Sequence, residues 1–340
     1  MRIGLVGFGF GGQKFHLPYI QAAPDWEIAG VVTRSPQRRA ELAAAAAGVP
    51  AVDDLDALID LGVDAVVITT PPQTRRELVL RALARGVHVV ADKPFAPDAQ
   101  VARELAAAAQ QAGRLLTVFH NRRWDTDLRT AAEVLADGAI GTPWRAVNRF
   151  DLDEPGTLEV GPAHGLLRDL GSHLVDQMTH LFGPVARVDA HLDLVEVEGH
   201  QVDAGFVVAL HHASGVHSTV SASKINHLSE RELVLWGSQG AYTSRMRDVQ
   251  TDAVLRGEHP ATAADWGREQ PERWGVLHTA DGARPVPSAA GDYAEYYRRL
   301  HASIAEGAPL AVTLDEAIHT VEITDAARLS ALEGRTVELR

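Results

Sequence analysis

Residues 2–12 read Arg2-Ile3-Gly4-Leu5-Val6-Gly7-Phe8-Gly9-Phe10-Gly11-Gly12, and this stretch decides the fold. Its first five residues predict a buried strand, its last six form a G-x-G-x-x-G turn, and a predicted helix follows. Gly7 permits a tight turn, Gly9 lets the backbone approach a pyrophosphate, and Gly12 allows a helix to pack closely on the strand. The N–H groups at a helix start favour phosphate charge. We therefore predict a dinucleotide site at Gly7, Phe8, Gly9, Phe10, Gly11 and Gly12.

The end of the second predicted strand indicates which dinucleotide binds. An NAD site usually carries an acidic residue there, which binds the ribose 2′-hydroxyl. Here the chain reads Thr33-Arg34-Ser35, and either Arg38 or Arg39, one turn later, could add positive charge. Hydroxyl and guanidinium groups are good donors to a 2′-phosphate, so the sequence favours NADP, with NAD as the weaker alternative. A competing interpretation is that Arg34, Arg38 and Arg39 form the solvated face of a helix.

Helix and strand patterns alternate through residues 1–120, which predicts a Rossmann domain built on a parallel sheet. Ligands of such sheets bind beyond the carboxyl ends of the strands. Thr33, Thr70, Lys93 and His120 stand at predicted strand ends, so we expect Thr70, Pro71 and Lys93 to join the cofactor site.

The pattern changes after residue 120. Period-two strands between Val185 and Ser223 predict an antiparallel sheet with one face free to meet another subunit. We therefore expect an α+β domain over residues 121–340, used for substrate binding and oligomerisation, with its last helices packing back toward the first domain. The stretch His259–Gly291 is rich in Pro, Ala and Gly and is predicted to be an irregular excursion.

Composition excludes several classes of protein. The net charge of -13 and the pI near 5.6 argue against nucleic-acid binding, which needs a basic face. No apolar stretch approaches the length of a membrane span, and Met1-Arg2 leads directly into a strand, so we expect a cytoplasmic protein without a signal peptide. The absence of cysteine excludes disulfides, thiolate nucleophiles and cysteine metal sites.

A second informative motif is Arg168-Asp169-Leu170-Gly171-Ser172-His173, in which Asp169 and His173 stand four residues apart and share a predicted helix face. Oxidation of an alcohol by hydride transfer also removes the hydroxyl proton. A histidine oriented by a carboxylate suits that task near neutral pH, and Lys93 can donate a hydrogen bond to the same oxygen. The alternative is a helix pair of purely structural value.

A metal site is the weaker hypothesis for these histidines and acids. Asp169, His173, Asp176 and His180 could line one helix face, and His211, His212 and His217 lie on adjacent strands. Zinc ligands usually come from several elements around an open position, and nothing in the sequence imposes that geometry, so we predict no metal.

Together, the Gly7–Gly12 loop, the Lys93-Pro94 pair after a strand and the Asp169-x-x-x-His173 helix make the chain resemble the glucose-fructose oxidoreductase/inositol dehydrogenase (Gfo/Idh/MocA) family. The runs His120-Asn121-Arg122-Arg123-Trp124-Asp125 and Asp169–Gln177 are most similar to its NADP-dependent scyllo-inositol dehydrogenase branch. The resemblance implies a Rossmann domain followed by a domain with a large open sheet, which usually forms dimers or tetramers. It implies Lys93, Asp169 and His173 as catalytic residues.

The same resemblance suggests a substrate cleft formed by Lys93, Asn121, Arg122, Arg123, Trp124, Asp169 and His173. For Arg122, Arg123 and Trp124, a domain-packing role is an equal alternative. His16 could touch cofactor phosphate or be a buried structural residue. The chain departs from the family at Asp92, where glutamate is usual, and at Pro72, where Thr-Pro-Asn is common.

The function predicted from the sequence is hydride transfer between the nicotinamide C4 and a hydroxyl-bearing carbon of a cyclic polyol or sugar. A non-catalytic sensor that binds NADP is the alternative, since such folds can lose chemistry and keep binding.

Overall fold

A computed structural model of the chain describes residues 1–161 and 164–339. Contacts divide the chain into two units. The first consists of residues 1–121, 250–266 and 292–317, and the second of the described residues of 122–249, 267–291 and 318–340. The sequence alone had assigned 250–266 and 292–317 to the second domain.

The first unit is built on a six-stranded parallel sheet. Its strands are β1 (Arg2–Val6), β2 (Glu27–Val32), β3 (Ala51–Val52), β4 (Ala65–Ile68), β5 (His88–Ala91) and β6 (Leu116–Val118). The spatial order is β3-β2-β1-β4-β5-β6, and every neighbouring pair is parallel. The order reverses beside β1, which is the switch point where such sheets bind ligands.

Ten α-helices are present in the described residues, and some of them begin at a residue whose side chain stabilises the helix start. They are α1 (Leu17–Gln21), α2 (Pro36–Ala45), α3 (Leu55–Asp60), α4 (Pro72–Ala84), α5 (Ala99–Ala112), α6 (Thr126–Ala136), α7 (Ser172–Phe182), α8 (Val249–Leu255), α9 (Ala294–Ala305) and α10 (Leu314–Glu333). Asp98 accepts a hydrogen bond from the Val101 N–H at the start of α5. At α10, Thr313 and Glu316 form a capping box, since Glu316 accepts from the Thr313 N–H and the Glu316 N–H donates back to the Thr313 hydroxyl.

A nine-stranded sheet forms the second unit. Its strands are β7 (Pro143–Asp151), β8 (Val185–Val197), β9 (His200–His212), β10 (His217–Ser223), β11 (Glu230–Gly237), β12 (Gly240–Ser244), β13 (Gly275–Thr279), β14 (Gly282–Val286) and β15 (Val337–Glu338). The order is β14-β13-β12-β11-β7-β10-β9-β8-β15. All neighbouring pairs are antiparallel except β7 and β10. A parallel sheet followed by this mainly antiparallel one confirms the predicted fold class.

The core of the second unit lies on one face of this sheet. Phe206, Val208 and Leu210 of β9 are at most 1% exposed and belong to one apolar cluster with Leu174 of α7 and Ile323 of α10. The intervening Val207 is 47% exposed, as the period-two side-chain alternation of a strand requires.

The predicted irregular excursion at 259–291 is partly wrong. Residues 275–286 form the hairpin β13-β14 at one end of the large sheet. Gly275, Gly282 and Pro285 obscured the strand pattern, and an edge strand tolerates proline where a central one does not. Every helix within residues 1–161 and 164–339 is too short or too polar to cross a lipid bilayer.

Candidate active site

The glycine loop has the backbone geometry that the motif predicts. Gly7 has a φ of +103°, a conformation that side-chain-bearing residues rarely adopt. A Cβ added to Gly12 would lie 2.7 Å from the Gly7 carbonyl oxygen, so a side chain there would collide with the loop itself. The Thr69 hydroxyl, at the end of β4, donates to the same oxygen at 3.0 Å. Thr69 therefore stabilises the conformation of the loop, and no sequence motif indicated this role.

The segment after the loop differs from a simple helix. Gly12–His16 forms a π-helical turn that continues into α1, with the Gln13 N–H donating to the Gly9 oxygen at 3.0 Å. Phe10, between the glycines, is 60% exposed. π-Helical turns are frequent at functional sites, because the extra residue redirects the backbone.

Three arginines follow β2, and they differ in what they contact. The Arg34 Nε donates to the Asp53 backbone oxygen at 2.9 Å, and Arg39 forms an ion pair with the Asp53 carboxylate at 2.6 Å. Arg38 has no side-chain hydrogen bond or ion pair with any described residue, and one guanidinium nitrogen lies 3.8 Å from where a Cβ of Gly9 would be. Ser35 is the N-cap of α2. Among the described residues, Arg38 is thus a cation beside the glycine loop that no carboxylate engages.

The Asp92-Lys93-Pro94 turn follows β5 and adjoins the same loop. Asp92 Oδ1 accepts from the Lys93 N–H at 2.8 Å, and a Cβ added to Gly11 would lie 3.4 Å from Asp92 Oδ2. The buried Arg75 donates to the backbone oxygens of Pro94 and Thr70, and so ties this turn to the end of β4. Burial lowers the pKa of Arg75 to about 10, although the charge of Asp92 opposes that shift.

His16 contacts protein groups on both sides and is fully buried. Its Nδ1 lies 2.6 Å from the Tyr297 hydroxyl, its Nε2 lies 3.3 Å from Asp92 Oδ2, and its ring packs against Phe119 with the ring centroids 4.2 Å apart. Burial raises the pKa of Asp92, but the opposing interactions with His16, Arg75 and Lys93 hold it at about 2. Of the two interpretations of His16, these contacts favour the structural one.

In the second unit, Asp169 and His173 lie on consecutive helical segments. Asp169 belongs to a π-helical turn, Leu167–Gly171, and His173 to the first turn of α7. His173 is 4% exposed, whereas the Asp169 side chain is 42% exposed. The Lys224 ammonium lies 3.2 Å from Asp169 Oδ2. Lys224 carries no motif and stands 55 residues from Asp169 along the chain, so sequence patterns gave no signal for this pair.

The segment after β6 is mostly buried. Arg123 forms two hydrogen bonds to Asp176 of α7, at 2.9 and 2.7 Å, and Trp124 is 7% exposed. Arg122 pairs with Asp248 at 3.0 Å. These contacts favour the packing interpretation for Arg122, Arg123 and Trp124, while the proposed substrate contacts of Asn121, Arg122, Arg123 and Trp124 stay a prediction.

A buried charged cluster lies nearby in the second unit, and the sequence did not reveal it. Arg231 of β11 contacts Asp125 at 2.8 Å and Asp127 at 3.6 Å, and its guanidinium lies over the Phe150 ring, 4.5 Å from the centroid. Burial raises the pKa of Asp127 to about 6, against the opposing charge of Arg231.

Two of the residues considered for zinc bind other protein groups. His212 lies 2.8 Å from the Gly183 oxygen and 2.7 Å from the Ser218 hydroxyl, and Asp176 is engaged by Arg123. Across the described residues, no three histidine, aspartate or glutamate side chains form a group that could hold a metal ion.

Comparison with known proteins agrees with this geometry. The family model described as "Oxidoreductase family, NAD-binding Rossmann fold" matches residues 1–120, and "Oxidoreductase family, C-terminal alpha/beta domain" matches residues 157–339. Scyllo-inositol 2-dehydrogenase (NADP(+)) IolW of Bacillus subtilis is 31% identical over 100% of this chain and 96% of that protein. D-apiose dehydrogenase of Paraburkholderia graminis is 31% identical over 82% of this chain and 73% of that protein.

A solved structure gives the same result for the fold. The crystal structure of an oxidoreductase from Bacillus cereus superimposes with a TM-score of 0.90 at 26% identity and covers 100% of this chain and 99% of that chain. Because family models match both parts of the chain and a full-length relative exceeds 30% identity, the chain belongs to the Gfo/Idh/MocA family of oxidoreductases, as its motifs predicted.

Proposed function

We propose that this oxidoreductase transfers a hydride between NADP and a hydroxyl-bearing carbon of a cyclic polyol or sugar. The observation that carries the proposal is the proximity of the Asp92-Lys93 turn to the glycine loop, since a Cβ added to Gly11 would lie 3.4 Å from Asp92 Oδ2. This proximity supports a position for Lys93 at the carboxyl edge of the parallel sheet, where ligands of this fold bind.

The arginines after β2 support NADP as the cofactor. Thr33, Arg34, Ser35 and Arg38 would surround the 2′-phosphate, and Gly7–Gly12, Thr70 and Pro71 the rest of the dinucleotide. Arg38 is the strongest argument, because no described carboxylate neutralises it and its guanidinium stands over the loop. The IolW relative carries NADP(+) in its name.

The proposed chemistry divides between three side chains. The bound nicotinamide supplies the hydride acceptor at C4. His173 takes the hydroxyl proton, Asp169 orients the imidazole and fixes its tautomer, and Lys93 donates a hydrogen bond to the substrate oxygen as it gains carbonyl character. The hydride and the proton leave the same alcohol, so the product is a ketone or lactone.

The substrate class rests on the relatives. Scyllo-inositol and D-apiose, which name two of them, are uncharged and rich in hydroxyl groups. The last residue of β7, Asp151, and the segment after it, with Asp153 and Glu154, are acidic and would disfavour a phosphorylated or carboxylated sugar by charge repulsion. We therefore propose a neutral cyclic polyol or sugar.

A screen of nicotinamide absorbance tests this function, with NADP and NAD compared against inositol isomers, aldoses and their keto forms. We expect turnover with NADP on at least one of them, and a loss of about 10²- to 10⁴-fold in kcat for His173→Ala. Turnover within about threefold of wild type in both His173→Ala and Lys93→Ala would contradict the assigned roles. Cofactor binding without turnover on any candidate would favour a sensor.

The open face of the large sheet is proposed to join copies of this chain into a homodimer or homotetramer. Val207 presents apolar surface on this face, at 47% exposure, and the neighbouring Thr219 and Ser221 are uncharged. Sedimentation of wild type and Val207→Asp tests this, and a wild type that sediments as a monomer at micromolar concentration would contradict it.

A further inference from the structure

Lysine is rare in this chain. Of its 32 basic residues only three are lysines, Lys14, Lys93 and Lys224, and the rest are arginines. A compact ammonium and a planar guanidinium are not interchangeable at a fixed site. We therefore ask which groups the ammonium of each lysine contacts in this arginine-rich chain.

Lys224 follows β10 directly and is 6% exposed. Its ammonium lies 3.2 Å from Asp169 Oδ2 and 3.4 Å from the Thr157 backbone oxygen. Its backbone is held as well, because its N–H donates to the Ala204 oxygen at 2.9 Å and its oxygen accepts from the Glu154 N–H at 3.2 Å. The ammonium thus joins the end of a central strand, the segment after β7 and the turn that carries Asp169.

The exposure of the two partners is unequal. The Lys224 side chain is 7% exposed and the Asp169 side chain 42%. In the Arg328–Asp203 pair of the same unit the exposures are reversed, since the cation is 28% exposed and the carboxylate 2%. The Asp203 carboxylate also accepts a hydrogen bond from the Leu167 N–H at 2.7 Å. A buried carboxylate that binds backbone is structural. The buried Lys224 cation, by contrast, holds one oxygen of a carboxylate that is partly exposed.

We propose that Lys224 is a positioning residue for the reaction, and that it acts through Asp169. Its ammonium pairs with Oδ2 and fixes the orientation of the Asp169 carboxylate, which in the proposed function orients the His173 imidazole. This inference rests on the proposed function of Asp169. Removal of the carboxylate would leave a buried ammonium unpaired, which lowers the stability of the folded state. Each residue of the pair therefore stabilises the position of the other.

A double-mutant cycle tests the inference. Lys224→Met approximately keeps the length of the side chain and removes its charge. We expect a loss of about 10- to 100-fold in kcat, because small displacements of catalytic groups reduce the rate by that factor. Lys224→Arg should recover part of the loss. In an Asp169→Asn background, Lys224→Met should change kcat by less than about twofold, since the group through which it acts is gone.

A matched control separates catalysis from folding. Arg149→Met removes a cation of the same sheet that pairs with Glu230 at 2.8 Å, and we expect it to leave kcat within about twofold of wild type. Each variant is also unfolded thermally. An unchanged kcat in Lys224→Met would overturn the proposal. So would a double variant whose fold-loss in kcat equals the product of the two single-variant losses.

A second readout does not need turnover. With only three lysines, protein labelled with ¹³C at lysine Cε gives three side-chain signals, which single substitutions assign. Asp169→Asn should move the Lys224 signal, and a neutral polyol added to the NADP complex should move it again. If wild type turns over no polyol, the proposed function fails, while an unmoved Lys224 signal in Asp169→Asn overturns the pairing itself.

Discussion

Replacement of Arg38 by alanine tests the cofactor preference most directly. Its guanidinium stands 3.8 Å from the Cβ position of Gly9 and has no described carboxylate partner, so its full charge is available to a 2′-phosphate. Hydrogen bonds to charged groups contribute about 1.5–3 kcal/mol each. Because Arg38 is solvent-exposed, we take one such bond, which corresponds to about 10- to 100-fold in affinity.

The loss should appear in KM for NADP and leave kcat nearly unchanged. The 2′-phosphate is bound equally in the ground and transition states, so its contact is uniform binding. With NAD, which has no 2′-phosphate, kcat/KM should not fall. The assay is initial-rate kinetics of wild type and Arg38→Ala with both cofactors at saturating polyol, and the expected fall in the NADP:NAD ratio of kcat/KM is about 10- to 100-fold.

Arg39→Ala is the matched control. Arg39 lies on the same helix but is already paired with Asp53 at 2.6 Å, so we expect the cofactor ratio to change by less than about threefold. A ratio that Arg38→Ala leaves within threefold of wild type, or an equal loss with both cofactors, would refute the phosphate-binding role.

Two further predictions concern buried charge. His16→Phe keeps a ring against Phe119 but removes the Nδ1 hydrogen bond with the Tyr297 hydroxyl and the ion pair of Nε2 with Asp92. Urea denaturation should therefore show a loss of about 1–3 kcal/mol in the free energy of unfolding, and an unchanged midpoint would contradict the buried contacts. The pKa of Asp127, raised by burial to about 6, means that the folded state binds more protons than the unfolded state between about pH 4 and 6. The contribution of Asp127 to stability is therefore complete below about pH 4 and is lost as pH rises through 6. Asp127→Asn should reduce this dependence, and a variant whose stability follows pH as steeply as wild type would count against it.

Local sequence patterns were sufficient to predict the glycine loop and the strand ends of the first unit. The glycine loop and the strand ends at Thr33, Thr70 and Lys93 each depend on residues within a few positions of one another. The physical causes act over the same short range, through backbone φ, hydrogen bonds at helix starts and alternation along strands. Such features need no knowledge of tertiary contacts.

Contacts between segments that are distant along the chain could not be predicted from the sequence. Nothing near Lys224 indicates Asp169, and nothing near Arg231 indicates Asp125, because each pair forms only when separate strands and helices meet. The β13-β14 hairpin was missed for another reason. Its exposed edge position removes the apolar alternation that normally identifies a strand, and tertiary pairing with β12 supplies what the local pattern lacks.

The late segments of the first unit bear on how the chain folds as it is synthesised. The Trp26 indole donates to the Tyr297 oxygen at 2.8 Å, and the Thr117 hydroxyl to the Val312 oxygen at 2.8 Å. Both partners emerge from the ribosome nearly 200 residues or more after the groups they satisfy. A nascent chain that ends at residue 121 holds all six strands of the parallel sheet but leaves these polar groups, and the aromatic surface around Phe119, uncovered. We expect it to remain expanded and in need of chaperone protection until residue 317 has left the exit tunnel.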